Sequence, residues 1–252
     1  MKIDILTIFP KMFQGPFTES LIGRAVKNDI LQIKVTDVRS FCKDKHKKVD
    51  DKPFGGGVGM VLKPEPLYDA IKSVGVKKKN NLYKNSYSNP YVIYMSPQGK
   101  TLNDEIIKKF SKFKHLVFVC GHYEGIDERI INYVDEEISI GDYVLTGGEI
   151  PAMVVVDSVA RLLPGVVKEE ASVKNDSFYN GLLDHPHYTR PAVFKGNEVP
   201  DVLLSGDHKK IGLWRKNEAY ERTRKRRPDL LKNNLEILKN KFRGDVKSKK
   251  RI

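Results

Sequence analysis

The sequence predicts an α/β fold, a mostly parallel sheet with helices on both faces, followed by a small, mainly helical C-terminal domain. Three observations carry this. Short runs rich in β-branched and aromatic residues recur at 2–9, 91–95 and 116–120; polar segments with helical periodicity, such as 102–113, separate them; and glycine-bearing loops follow or interrupt several of them.

The first run, Ile3-Asp4-Ile5-Leu6-Thr7-Ile8-Phe9, begins directly after Met1-Lys2 with no signal-peptide cleavage region, and no stretch reaches the roughly 18 consecutive apolar residues of a membrane span. A soluble, unexported, cytoplasmic protein with no membrane partner is expected. Cys42 and Cys120 are far apart with dissimilar neighbours, which does not suggest a disulfide framework. A charged stretch from Lys43 to Asp51 leads into Pro53-Phe-Gly55-Gly56-Gly57-Val-Gly59-Met60. That segment is either a flexible surface loop or backbone against which a ring or phosphate can press. Residues 75–89, rich in Lys, Asn, Ser and Tyr, read as a variable loop without assigned function.

The strand at 91–95 runs into Ser96-Pro97-Gln98-Gly99, and the strand at 116–120 into Gly121-His122-Tyr123-Glu124-Gly125. A third loop spans Ser139-Ile140-Gly141 to Leu145-Thr146-Gly147-Gly148-Glu149. Each alone is compatible with plain turn chemistry. Together they can converge on one ligand outside the carboxyl ends of the strands. No Gly-x-Gly-x-x-Gly opens a helix after the first strand, and Gly99-Lys100-Thr101 lacks the leading glycine of a phosphate loop because Tyr94 occupies that position. Dinucleotide and nucleoside triphosphate binding are thereby disfavoured. Pro151 suits a helix's first turn and Pro164-Gly165 its stop, so 151–163 is expected to be helical.

The polar, aperiodic stretch at 168–175 is expected to link an N-terminal domain, 1–167, to a helical domain, 176–252, with periodicity at 208–223 and 229–242 and a disordered tail. Of the formal net charge of +13, residues 209–252 hold +12, from 17 Lys/Arg and 5 Asp/Glu. Trp214, Arg215, Lys216, Arg222, Arg224, Arg226 and Arg227 place cations and an aromatic face in one segment, so pairing with RNA phosphates and stacking on bases both become possible. A solvated helix face with a frayed basic tail remains the plain alternative. His185-Pro-His187 and Cys120-Gly-His122 belong to no set of four with zinc-like spacing, so no metal site is expected.

Val49-Asp50-Asp51 through Met60, Ser96-Pro97-Gln98-Gly99, Cys120 through Arg129, Ser139 through Glu149, and Leu182-Leu-Asp-His-Pro-His-Tyr-Thr-Arg-Pro191 resemble, in this order, the bacterial tRNA (guanine-N1)-methyltransferases. The likeness runs from residue 1 to about 231. It implies a deep trefoil knot at the C-terminal end of the large domain, a homodimer, and methylation of guanosine 37, just 3′ of the anticodon, at N1. It implies S-adenosylmethionine as donor, held by Pro97, Gly99, Gly121, Tyr123, Glu124, Gly125, Ser139, Ile140, Gly141, Leu145, Gly147 and Gly148. It makes Asp176 the general base and Arg161 its cationic companion, with the C-terminal domain of one subunit completing the site of the other. Mg²⁺ is also implied, without a carboxylate cluster to hold it. Without the resemblance, Arg161 reads as an intrahelical partner of Asp157 and Asp176 as a helix cap.

The implied chemistry matches these groups. N1 of guanine carries a proton and is a poor nucleophile until a base removes it; a guanidinium near O6 stabilises the charge that then spreads over the ring. A sulfonium donor is already activated, so alignment and exclusion of water are the protein's main tasks. Two other readings stay open: a non-catalytic RNA-binding protein, and a related knotted methyltransferase acting on ribosomal RNA or on a ribose hydroxyl.

Overall fold

The computed structural model describes residues 1–76 and 86–233. The strands at 2–9, 91–95 and 116–120 correspond to β1 (Lys2–Thr7), β5 (Tyr91–Thr101) and β6 (His115–Cys120), with β2 (Gln32–Asp37), a two-residue pair β3 (Asp50–Asp51) and β4 (Val61–Leu62), and β7 (Glu136–Ser139) completing the N-terminal set. Five of these form one sheet in the order β2-β1-β6-β5-β7, and every neighbouring pair is parallel. In register, Ile5 lies beside Phe118 and Met95 beside Cys120. The expected α/β class with a mostly parallel sheet is the observed one.

Parallel strands covered on both faces must be apolar on both faces. Ile3, Ile5, Leu116 and Phe118 point into one core with Ile93 and Met95, while Leu6, Val117, Val119, Val92 and Tyr94 point into the other. The alternation is the two-residue strand period. The first core is closed by α1 (Gln14–Thr18), α2 (Ser20–Lys27), α4 (Asp104–Phe110) and α5 (Glu149–Leu162), through side chains such as Phe17, Ile22, Phe110 and Val156; the second is closed by α3 (Pro64–Ser73) through Leu67, Ala70 and Ile71. The helix expected at 151–163 starts two residues earlier, with Gly148 at its N-cap.

The edge strands β2 and β7 escape the sequence reading for a physical reason. Gln32-Ile-Lys-Val-Thr-Asp37 is half-exposed and polar at every other position, and Glu136-Glu-Ile-Ser139 opens with two acids. Glu136 is tolerated because Tyr91 donates to its Oε2 at 2.9 Å, Lys100 approaches Oε1 at 3.2 Å and Lys109 also donates to Oε2. Burial pushes this carboxyl up, yet those hydrogen bonds outweigh it and hold it below the usual range.

Strand β5 is irregular in the middle. Its pairing with β7 shifts register between Met95 and Lys100, so Ser96-Pro97-Gln98-Gly99 leaves the regular ladder before Lys100 pairs with Ile138. A bulge of this kind bends the strand and re-aims its side chains.

The chain divides into two compact units, Met1–Lys168 and Glu169–Ile252. The stretch expected to be an aperiodic linker contains α6 (Glu170–Asn175). The second unit continues with a hairpin of β8 (Val193–Phe194) and β9 (Asn197–Glu198), then α7 (Asp201–Leu204), α8 (His208–Arg226) and α9 (Pro228–Asn233). Asp207 caps α8 by accepting from the amides of Lys209 and Lys210. Buried Thr223 of α8 accepts from Leu183 N–H at 2.8 Å and donates to Ala219 O at 2.6 Å, anchoring the 182–191 segment to the helix. The helical pattern expected at 229–242 lies outside the described residues beyond 233, as do most of the 75–89 loop and the basic tail.

Candidate functional site

The carboxyl ends of β5, β6 and β7 and the N-terminus of α5 enclose a cleft in the first unit, and all three glycine loops line it. Pro97 comes from the bulge of β5; Gly121, Tyr123, Glu124 and Gly125 from the loop after β6; Ser139, Ile140, Gly141, Leu145, Gly147 and Gly148 from the loop after β7. The loops are tied together by backbone. Gly148 N–H donates to Gly121 O at 2.9 Å, His122 bridges to Gly147, and Gly125 N–H donates to His122 O at 3.1 Å.

Two of the glycines are required by conformation. Gly125 and Gly141 have φ of 125° and 153°, a region that side-chain-bearing residues rarely enter. Tyr123 also holds a positive φ, 59°, so the loop after β6 is wound tightly enough to turn backbone toward the cleft.

Gly99, the remaining residue expected at the donor, does not line the cleft. A Cβ there would lie 2.3 Å from Ile138 N and 2.4 Å from Glu137 C, so its glycine is demanded by the backbone of β7. The fourth glycine cluster does approach the site. Glu124 N–H donates to Met60 O at 3.1 Å, and a Cβ on Gly59 would collide with the Glu124 carboxylate at 2.4 Å.

The lining also contains residues that the sequence did not single out individually, among them Gln98, His122, Tyr143 and Thr146. All lie within the recognised loop segments, and apart from His122, weighed there only as a metal ligand, that membership is the sequence signal they carried. His122 Nδ1 is buried without a hydrogen-bond partner, and its ring meets Phe9 and Tyr123 edge-on at 4.9 and 4.8 Å. Beneath the cleft, Glu149 at the first turn of α5 is 1% exposed and accepts from Thr7 Oγ1 at 2.7 Å. Helix-dipole attraction favours a carboxylate there. Tyr94, whose hydroxyl would meet a Cβ on Gly121 at 2.9 Å, is pushed up to about 12 by burial.

This lining suits a donor that has a flat ring, polar edges and a cation. Ile140, Leu145 and Pro97 are apolar, the glycines present bare backbone, and Glu124 is the one carboxylate among the described residues that line the cleft. Mg²⁺ fits less well. Among the described residues the one group of three side chains close enough to share an ion is Asp184, His185 and His187, in the second unit, and two of its three ligands are nitrogens where Mg²⁺ prefers oxygens. The group is already internally bonded, with His187 Nε2 2.8 Å from Asp184 Oδ2. Asp184 was the member that spacing of histidines and cysteines could not bring in.

Arg161 sits in the last turn of α5, half-buried, in the first unit; Asp176 caps the C-terminus of α6, half-buried, in the second. Arg161 does not line the cleft of its own unit. Asp176 ends α6, where its N–H donates to Val173 O, instead of starting a helix.

Six of the seven residues expected to contact RNA lie on α8 and Arg227 is its C-cap. Arg224 is held by Glu221 at 2.7 Å and Arg227 by Asp229 at 2.7 Å, whereas Arg215, Lys216, Arg222 and Arg226 have no charged partner among the described residues.

Comparison with known proteins addresses the same chain as a whole. A sequence model of the family described as tRNA (Guanine-1)-methyltransferase TrmD matches residues 1–233. The tRNA (guanine-N(1)-)-methyltransferase of Endomicrobium trichonymphae is 74% identical over 232 residues, covering 92% of this chain and 100% of that protein. Proteins of the same name from Ruminiclostridium cellulolyticum and Alkaliphilus oremlandii are 55% and 52% identical, covering 91% and 99% of this chain and 96% and 100% of theirs. With a match across nearly its whole described length and relatives this similar, the chain belongs to the tRNA (guanine-1)-methyltransferase family.

Proposed function

We propose that this methyltransferase moves a methyl group from S-adenosylmethionine to N1 of guanosine 37 of tRNA, leaving N1-methylguanosine and S-adenosylhomocysteine. The observation that carries the reading is the convergence of three glycine loops on one cleft at the carboxyl ends of β5, β6 and β7, in a chain whose relatives bear that enzyme's name.

When bound, the donor supplies an activated methyl on a sulfonium. The residues of this chain do the remaining work. Bare backbone at Gly121, Gly125, Gly141 and Gly147 lets the donor lie close, Glu124 offsets its positive charge, and the apolar side chains of Ile140 and Leu145 keep water from its ring. Asp176 takes the N1 proton of the guanine, and Arg161 stabilises the negative charge that spreads toward O6. The cations of α8 hold the phosphates of the RNA.

A homodimer in which the second unit of one subunit completes the cleft of the other is part of the same reading. A knotted arrangement of the cleft loops and a cytoplasmic location are part of the same reading; among the described residues no helix is long and apolar enough to cross a membrane.

The test is single-turnover methylation of a tRNA transcript at saturating labelled donor, followed by identification of the labelled nucleoside. N1-methylguanosine at position 37 is expected. Asp176→Asn keeps size and hydrogen bonding but cannot take a proton, so it should lower the rate about 10²-fold or more while tRNA and donor still bind. Label on another nucleoside, or a near-normal Asn variant with an unchanged pH profile, would overturn the assignment.

A further inference from the structure

The second unit contains a cavity of about 340 Å³ with no part in the chemistry just described. Its walls come from the 185–190 segment, from Ala192 and Val199, and from α7 and α8; the Thr223–Leu183 hydrogen bond ties the 182–191 segment to α8. Three properties of the wall point to the same class of ligand.

The first is aromatic surface left uncovered. Tyr188 is 49% exposed, and the Tyr188 and His185 rings both lie 6.4 Å from Trp214, centroid to centroid, tilted by 53° and 41°. Those separations are at the far end of the ~4.5–7 Å over which ring pairs interact, so neither ring covers the face of Trp214. A second flat ring can occupy that space.

The second is charge. Arg190 and Arg215 line the cavity; among the described residues neither has a charged partner and no Asp or Glu lines the wall. The third is an unused polar atom. His185 Nδ1 is buried and unpartnered, 3.6 Å from the nearest Asp184 oxygen and beyond hydrogen-bond reach of it. Buried polar atoms are normally satisfied, and His185 is one of the residues that line the cavity. Apolar side chains, including Leu203 and Ile211, complete the lining and disfavour a bare anion as its occupant.

Flat apolar faces, cations beside them and one hydrogen-bonding edge are what recognise a nucleotide out of its stack. The volume is at the small end of the ~300–1,000 Å³ of small-ligand clefts, which suits one base and not a helix. We propose that this cavity takes a single unstacked base of the tRNA, different from the guanine that is methylated, with Trp214 and Tyr188 as the stacking platform and Arg190 and Arg215 against the flanking phosphates. The proposal rests on the tRNA reading given above.

Trp214 is the one tryptophan of the chain, so fluorescence excited selectively at tryptophan reports on this cavity alone. Full-length unmodified protein is titrated with tRNA transcript, with filter binding in parallel. Expected is quenching of Trp214 emission that saturates with binding, and its loss when one nucleotide of the anticodon arm, other than guanosine 37, is made abasic. Trp214→Ala should weaken tRNA binding about ten-fold, the loss of one base–aromatic stack, and leave donor affinity unchanged; Trp214→Phe should restore most of it. Normal tRNA binding with unchanged emission, or quenching indifferent to every abasic position, or dependent on guanosine 37 alone, overturns the cavity's role while leaving the proposed reaction standing. Failure of the unmodified protein to bind tRNA at all overturns both.

Discussion

Replacing Gly99 by alanine is the sharpest test of how the sheet holds the cleft loops. The added carbon would stand 2.3 Å from Ile138 N, 2.4 Å from Glu137 C and 2.6 Å from Glu137 O. Ordinary contacts begin near 3.4 Å, and all three neighbours are backbone atoms that no rotamer change can move. Strands β5 and β7 must therefore separate by about 1 Å at the point where Lys100 regains its pairing with Ile138. Overpacking of this kind costs about 1–3 kcal/mol, and the rigidity of the neighbours puts Gly99→Ala at the upper end. For a unit of this size about 3 kcal/mol lowers the melting temperature by roughly 6–12 °C. The assay is calorimetry of full-length parent and variant without donor, followed by donor titration below the transition. Donor affinity should fall as well, because the same bulge carries Pro97 and Gln98 into the cleft. A melting temperature within about 1 °C of the parent would refute the reasoning, since no substitution that clashes with strand backbone can be silent.

Two further outcomes follow from the buried polar groups of the sheet. Thr7→Val keeps the shape but strips a buried Glu149 oxygen of its 2.7 Å donor and the Phe9 amide of its 2.9 Å acceptor, so urea unfolding should show a loss of about 3 kcal/mol, with Thr7→Ser recovering most of it; a loss below about 0.5 kcal/mol would contradict the pairing. Stability should also fall in acid. Burial pushes the Asp4 carboxyl up, but hydrogen bonds from His115 at 2.7 Å and Lys2 at 3.0 Å hold it below the usual range, as the Tyr91 and lysine contacts do for Glu136. Groups depressed in the folded state contribute stability above their unfolded values, near 4, and lose it as pH falls through their folded values. Asp4→Asn combined with Glu136→Gln should therefore flatten the fall in melting temperature from pH 5 to pH 3, and an unchanged slope would show that other groups drive it.

The centre of the sheet was legible because Ile3-Asp-Ile-Leu and Leu116-Val-Phe-Val-Cys are buried on both faces and, the paired Asp4 apart, are apolar along their length. Its edges were not, because β2 is half-exposed and polar at every other position and β7 is four residues long and spends its first on a paired acid. Helix α6 was missed since six polar-rich residues carry no readable period. The cleft was legible as loops but not as atoms. Gly99 and Gly147 look alike in sequence; only packing shows that a side chain on Gly99 would strike strand backbone, and one on Gly147 the side chains of Glu149 and His122. The Thr7–Glu149 contact joins residues 142 positions apart, and no local pattern announces such a pair. Roles for Arg161 and Asp176 came from resemblance alone, because a cation in a last turn has an ordinary reason to be there and an acid before Ser177-Phe-Tyr reads in sequence as a helix cap.

The strand order has a consequence for how this chain comes off the ribosome. Strand β6 lies between β1 and β5, yet it is made after both. Until residue 120 has emerged, β1 has pairing to offer only on its β2 side, and β5 lacks both of its parallel neighbours, because β7 is later still. The nascent chain therefore carries two open, apolar edges that await one inserted strand, the situation in which exposed strands pair with the wrong partner. Pairing across some 110 residues is also slow, since the loop must close before any contact rewards it. Holding one edge of Ile3 and Ile5 open until residue 120 has emerged makes the N-terminal strand a segment that a chaperone would protect during synthesis.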